Sequence, residues 1–206
     1  MTRLRSTTTT LAAVLILMLA VSGCAQPAQH PAPRIVEVSQ ADRLTIPNDT
    51  VGKDTTCTAG YVDTRAGVIL TAGHCGDDGD TVKDHRGRII GTMQRRKGHD
   101  VARVIVDGKL SGVNSASGRG FDHSESIKGK RVCMRGAVSA LMRCGVVHRQ
   151  QGSTMRVDSS LAGVHGDSGA PVWSALGLVG IYTGVVSSVD GKTMFATVER
   201  VSDSQW

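Results

Sequence analysis

From residue 44 onward the chain lacks any sustained apolar period near 3.6 residues, so amphipathic helices are not its architecture. It has no internal repeat, which removes solenoid folds. Its cations are scattered apart from Arg95-Arg96-Lys97, so the clustered basic surface of a nucleic-acid reader is missing, and that tract reads as a solvated loop. Asp77, Asp78 and Asp80 share a glycine-rich loop but lack the spacing of a metal loop, and neither metal nor organic cofactor is expected. Aromatic residues are few, with two each of Trp, Tyr and Phe. What remains is 25 glycines and short runs rich in Val, Ile, Leu and Thr, separated by glycine-containing breaks. That pattern predicts all-β structure, and 206 residues suit one domain or two small subdomains.

The N-terminus is read apart from the fold. Residues 1–23 begin with Arg3 and Arg5 and continue into an apolar run of eleven residues, Leu11 to Val21. This is too short to span a bilayer and fits a secretory signal. Its removal lowers the net charge from +6 to about +4. The run ends in Val21-Ser22-Gly23-Cys24, which resembles the bacterial lipobox, whose cysteine is lipidated and becomes the mature terminus. Lipidation of Cys24 would also account for the odd total of five cysteines, leaving four for two disulfides in an oxidising compartment. The alternative is an ordinary signal-peptidase site beside a free thiol. Residues 24–46, with Pro27, Pro31 and Pro33, read as a flexible tether, and residues 47–206 as the folded domain. Within the tether, Arg34-Ile35-Val36 has the form of an activation cleavage site, although Glu37-Val38 stands where glycines would follow.

Three stretches of the domain carry chemistry. In the first, a short buried strand, Val68-Ile69-Leu70, runs into Thr71-Ala72-Gly73-His74-Cys75. Cys57 lies 18 residues upstream, and a Cys57–Cys75 bridge would close the intervening hairpin and hold the histidine. In the second, Asp100 opens the alternating stretch Val101-Ala102-Arg103-Val104-Ile105-Val106. In the third, Gly166-Asp167-Ser168-Gly169 places a serine between glycines, whose backbone can approach a substrate closely. Cys133 and Cys144, 11 positions apart, flank a short turn and read as a stapled hairpin, or else as two free buried cysteines.

Together, Thr71-Ala72-Gly73-His74-Cys75, Asp100-Val101-Ala102 and Gly166-Asp167-Ser168-Gly169 resemble the chymotrypsin-fold serine peptidases. The bacterial branch of streptogrisins and α-lytic protease is the nearest, and the likeness covers about residues 50–200. It implies two packed antiparallel Greek-key β-barrels, about residues 47–112 and 125–200, with the active site in the cleft between them. It further implies His74 as base, Asp100 as orienting acid, Ser168 as nucleophile, and the N–H groups of Gly166 and Ser168 as oxyanion donors. Ala162, Thr183 and Val185 fall at the substrate pocket. With no acid at Ala162 and a branched residue at Val185, cleavage after small or medium apolar residues is expected.

The expected protein is then an exported, monomeric serine endopeptidase that acts on proteins or peptides through an acyl-enzyme. A lipid on Cys24 would hold it to the outer face of the cell membrane, with release by cleavage in the tether as a second fate. The resemblance further implies that Asp167 pairs with a cation, for which Arg135 and a freed Ile35 are the candidates. The competing expectation is a non-catalytic surface lipoprotein that uses the same fold to bind a protein partner.

Overall fold

The computed structural model describes residues 33–47, 52–118 and 120–202. The signal segment and Cys24 lie outside the described residues. Among the described residues there are fifteen strands, in three groups. The first half contributes β1 (Ile35–Glu37), β2 (Arg43–Ile46), β3 (Thr55–Thr58), β4 (Tyr61–Asp63), β5 (Val68–Ala72), β6 (Thr81–Lys83), β7 (Ile89–Arg95), β8 (Val101–Val106) and β9 (Lys109–Ser111). The second half contributes β10 (Arg131–Arg135), β11 (Met142–Gln151), β12 (Thr154–Asp158), β13 (Pro171–Ser174), β14 (Gly177–Ser187) and β15 (Met194–Arg200).

Seven strands of the first half pair in the order β3-β2-β6-β7-β8-β5-β4. The two edge strands, β3 and β4, are consecutive in the chain, joined through Ala59 and Gly60. So short a link brings the edges together and forces the sheet to curl into a half-barrel. Its apolar side chains, Leu44, Ile46, Ile69, Leu70, Val82, Ile90 and Val104 among them, are almost fully buried inside the curl. β10 to β15 form a closed barrel in the order β10-β11-β12-β15-β14-β13 around Val132, Met134, Val147, Met155, Val157 and Val198. Leu178 and Ile181 of β14 join the core of the first half, so the two halves pack through apolar contact. The all-β architecture with two barrels expected from the sequence is the one observed.

The segment assigned to a tether departs from that expectation over residues 35–46. β1 pairs in parallel with β9, and Val36 and Val38 are buried in the first core. β2 supplies an inner strand of the curled sheet. The physical reason is the alternation Ile35-Val36-Glu37-Val38, which buries both valines and exposes Ile35 and the Glu37 side. The folded unit therefore begins upstream of residue 47; residues 24–32 lie outside the described residues.

Between the barrels, residues 112–130 carry a buried carboxylate. Asp122, 3% exposed, accepts the Ser174 hydroxyl at 2.5 Å and the Ser124 N–H at 2.9 Å, with Lys130 Nζ at 3.7 Å. Burial alone would push its carboxyl up, but the bonds from Ser124 and Ser174 and the Lys130 charge outweigh it and hold it at about 2, against an ordinary 3.8. A carboxyl held low in the folded state stabilises the fold above its ordinary value, and that contribution disappears as pH falls through about 2. Asp122→Ala should lower the unfolding free energy near neutral pH by about 3 kcal/mol. The gap from wild type should close as pH approaches about 2 in denaturant titrations. A gap independent of pH would contradict this account.

Candidate active site

β5 and β8 are antiparallel neighbours with Ala72 opposite Val101. That register sets the turn after β5, Gly73–Cys75, against the residue before β8, Asp100. Gly73 is needed there, because a Cβ would come within 2.9 Å of the Val101 nitrogen. The Cys57–Cys75 disulfide ties the same turn to β3. The second bridge, Cys133–Cys144, joins directly opposed residues of β10 and β11.

The His74 backbone N–H donates to Asp100 Oδ1 at 2.8 Å, and its ring Nδ1 lies 2.8 Å from Asp100 Oδ2. On the other side of the ring, Nε2 lies 2.9 Å from Ser168 Oγ. Residues from three distant stretches thus form one hydrogen-bonded line, with His74 and Asp100 in the curled sheet and Ser168 in the closed barrel. Partial burial pushes the Asp100 carboxyl up. The hydrogen bond and charge of His74, with the backbone N–H groups of His74 and Gly73, more than offset this and leave it below the ordinary range. An ionised Asp100 favours the imidazole tautomer with its proton on Nδ1, which leaves Nε2 free to accept the serine proton.

The serine loop is held from both sides. Gly166 adopts φ +95°, the left-handed region that glycine tolerates best. Its carbonyl accepts the Thr58 hydroxyl at 3.0 Å, and the Ser168 carbonyl accepts the Thr58 N–H at 2.7 Å. With both carbonyls drawn toward β3, no protein acceptor among the described residues takes the N–H of Gly166 or of Ser168.

Asp167 is fully buried, and its partners differ from those expected. Oδ1 accepts the N–H groups of Val138 and Ser139 at 3.1 and 3.0 Å, and Oδ2 accepts that of Val164 at 3.0 Å. Neither expected cation reaches it. Alternation along β10 turns Arg135 to solvent and points Met134 inward, with its methyl group near Gly163 beside Asp167. Ile35 is 58% exposed and committed to the pair with Lys109. Three backbone N–H dipoles stand where a side-chain charge was expected.

Of the predicted pocket residues, Ala162 and Thr183 are half-buried and Val185 is exposed. The Thr183 hydroxyl donates to Thr197 Oγ1 at 3.1 Å. The pocket segment has a feature the sequence did not signal. The buried Tyr182 side chain reaches from β14 to Gly163, whose N–H donates to its hydroxyl at 3.0 Å. Burial, with Asp167 nearby, pushes the Tyr182 hydroxyl up and keeps it protonated. Beside His74 and Asp100 opens a cleft of about 660 Å³, lined also by Asp77, Asp78, Arg95 and Lys97. Arg95 is paired with Asp77 at 2.9 Å, so this basic tract is partly neutralised. Among the described residues, no group of three His, Cys, Asp or Glu side chains is arranged to hold a metal ion.

Two barrels with a histidine–carboxylate pair on one and a serine on the other define the chymotrypsin fold. Solved structures agree. Thermobifida fusca protease A superposes with a TM-score of 0.61 at 19% identity, covering 80% of this chain and 92% of that one. Cellulomonas bogoriensis chymotrypsin gives 0.58 at 22% identity over 80% and 91% of the two chains. Nocardiopsis protease gives 0.59 at 20% identity over 81% and 93%. No protein-family model matches the sequence, and no curated protein matches it. The likeness is one of fold.

Thr58 is a cross-barrel residue that sequence reasoning missed. Besides its bonds to the serine loop, its hydroxyl oxygen accepts the Ala137 N–H at 3.0 Å. Thr58→Val keeps the shape but strands the Gly166 carbonyl and the Ala137 N–H. It should cost about 1–3 kcal/mol of stability and speed amide hydrogen exchange at Ala137. Unchanged stability and exchange would show that the contact is incidental.

Proposed function

We propose that this protein is an exported serine endopeptidase that cleaves protein or peptide substrates through an acyl-enzyme. The observation that carries the proposal is the continuous line Asp100–His74–Ser168, with both contacts to the imidazole ring under 3 Å. A serine hydroxyl is a weak nucleophile at neutral pH unless a base takes its proton, and His74 Nε2 is placed to do so. As Ser168 Oγ attacks the carbonyl, His74 becomes an imidazolium, and the ionised Asp100 stabilises it. The unpartnered N–H groups of Gly166 and Ser168 receive the developing oxyanion, a role in which one donor contributes about 3 kcal/mol. His74 then returns the proton to the leaving amine, and water repeats the sequence to release the acyl group.

Asp167 is satisfied by backbone donors, so the serine loop is built without a freed N-terminus, and cleavage after Arg34 is unnecessary for activity. With no acid at Ala162 and a branched side chain at Val185, small or medium apolar side chains are favoured before the cut. Cys24 carries the lipid that holds a monomeric enzyme at the outer membrane face. The intact hydrogen-bonded line supports the enzyme over a partner-binding protein that merely retains the fold.

A peptide library read by mass spectrometry tests this directly. Wild type should cleave after residues such as Ala or Val, and Ser168→Ala should not cleave. In the native host, Cys24→Ser should move the protein from the membrane to the medium. Preference for Lys or Arg would overturn the pocket assignment; cleavage surviving Ser168→Ala would overturn the mechanism.

A further inference from the structure

The residue before Asp100 makes an unusual reach. His99 lies in the β7–β8 turn of the curled sheet, where its N–H donates to the Arg96 carbonyl at 3.1 Å. Its ring, however, is bonded to the other barrel. Nδ1 lies 2.7 Å from Glu199 Oε1 and 3.1 Å from Ser153 Oγ. Glu199 is in β15, with a side chain 6% exposed, and its Oε2 accepts the Thr154 hydroxyl at 3.1 Å. A carboxylate so buried requires donors. The neighbouring Arg200 does not serve it, since its guanidinium donates to the carbonyls of Asp122, Ser124 and Glu125. Among the described residues, His99 is the ionisable side chain that reaches Glu199.

The Asp100 carboxylate takes its hydrogen bonds from His74 and Gly73, all within the curled sheet. Nothing in that set fixes its distance from Ser168, which rides on the closed barrel. Two ties across the barrels do. Thr58 holds the serine loop, and His99 holds the acid's own turn against β15.

We propose that His99 is a positioning residue for acyl transfer: its clasp on Glu199 holds Asp100, and through it the His74 ring, in line with Ser168. This rests on the reading of Ser168 as nucleophile. A carboxylate oxygen cannot donate, so Nδ1 of His99 carries the proton in the clasp. Cutting the clasp frees the turn that carries Asp100, whereas the expected pocket residues Ala162, Thr183 and Val185 lie on other segments of the chain. A displacement of about 1 Å in such a catalytic group can cost about 100-fold in rate.

The test uses the full-length protein and an alkyl fluorophosphonate, whose inactivation kinetics separate the chemical rate (kinact) from probe binding (KI). His99→Ala should lower kinact by about 10- to 100-fold while KI stays within about threefold. His99→Gln, which restores an N–H donor, should recover part of the loss. Glu199→Met, which removes the acceptor, should also lower kinact, and the double variant His99→Ala/Glu199→Met should lose no more than the worse single one, because the two side chains act as a unit. A folded His99→Ala with wild-type kinact would overturn the proposal, as would a fall confined to KI. If His99→Ala does not fold, Glu199→Met decides: lowered kinact supports the clasp and unchanged kinact overturns it. A wild type inert to the probe would instead defeat the reading of Ser168, and this proposal with it.

Discussion

His74 and Ser168 lie on different halves of the fold, so their contact depends on how the two barrels are held together. Apolar packing of Leu178 and Ile181 brings them into contact, but such packing is non-directional and tolerates small slides. Hydrogen bonds remove that freedom. Thr58 binds the carbonyls on both sides of Asp167 and also accepts an N–H from the β10–β11 turn. His99 reaches in the same direction, from the curled sheet to β15. The 2.9 Å contact between His74 and Ser168 spans the same junction.

Electrostatics within the site relies largely on the backbone. The buried Asp167 is compensated by three N–H groups, and Asp100 by the His74 ring together with two N–H groups of its own turn. Fixed peptide dipoles need no side-chain ordering and cannot swing away, so they suit positions where a charge must stay in place through a reaction. At Asp167 they stand where a terminus delivered by cleavage was the alternative expectation. Ile35 is held in β1 and could reach Asp167 only by leaving the sheet.

The sequence revealed what is local and chemical. The His-Cys turn, the aspartate that opens an alternating strand and the serine between glycines are short motifs, and the structure brings all three within hydrogen-bond reach. Both disulfides were legible from hairpin spacing. Less legible was whatever depends on distant pairing. Val36 and Val38 sit in a segment coloured by prolines, and strands of three or four residues become strands only when a partner such as β9 is present. Asp167 invited a search for a side-chain cation, because backbone donors leave no mark in composition. Thr58, Tyr182 and Glu199 look like ordinary strand residues. Their roles appear only when segments as far apart as His99 and Glu199 are folded together.

The most direct measurement of the central claim, that His74 on one barrel activates Ser168 on the other, is trapping of the acyl-enzyme. Protein treated with p-nitrophenyl acetate and quenched in acid should carry one acetyl group, mapped by mass spectrometry to Ser168, and His74→Ala should carry none. Acetylation at another residue, or equal acetylation of Ser168 in His74→Ala, would contradict the account.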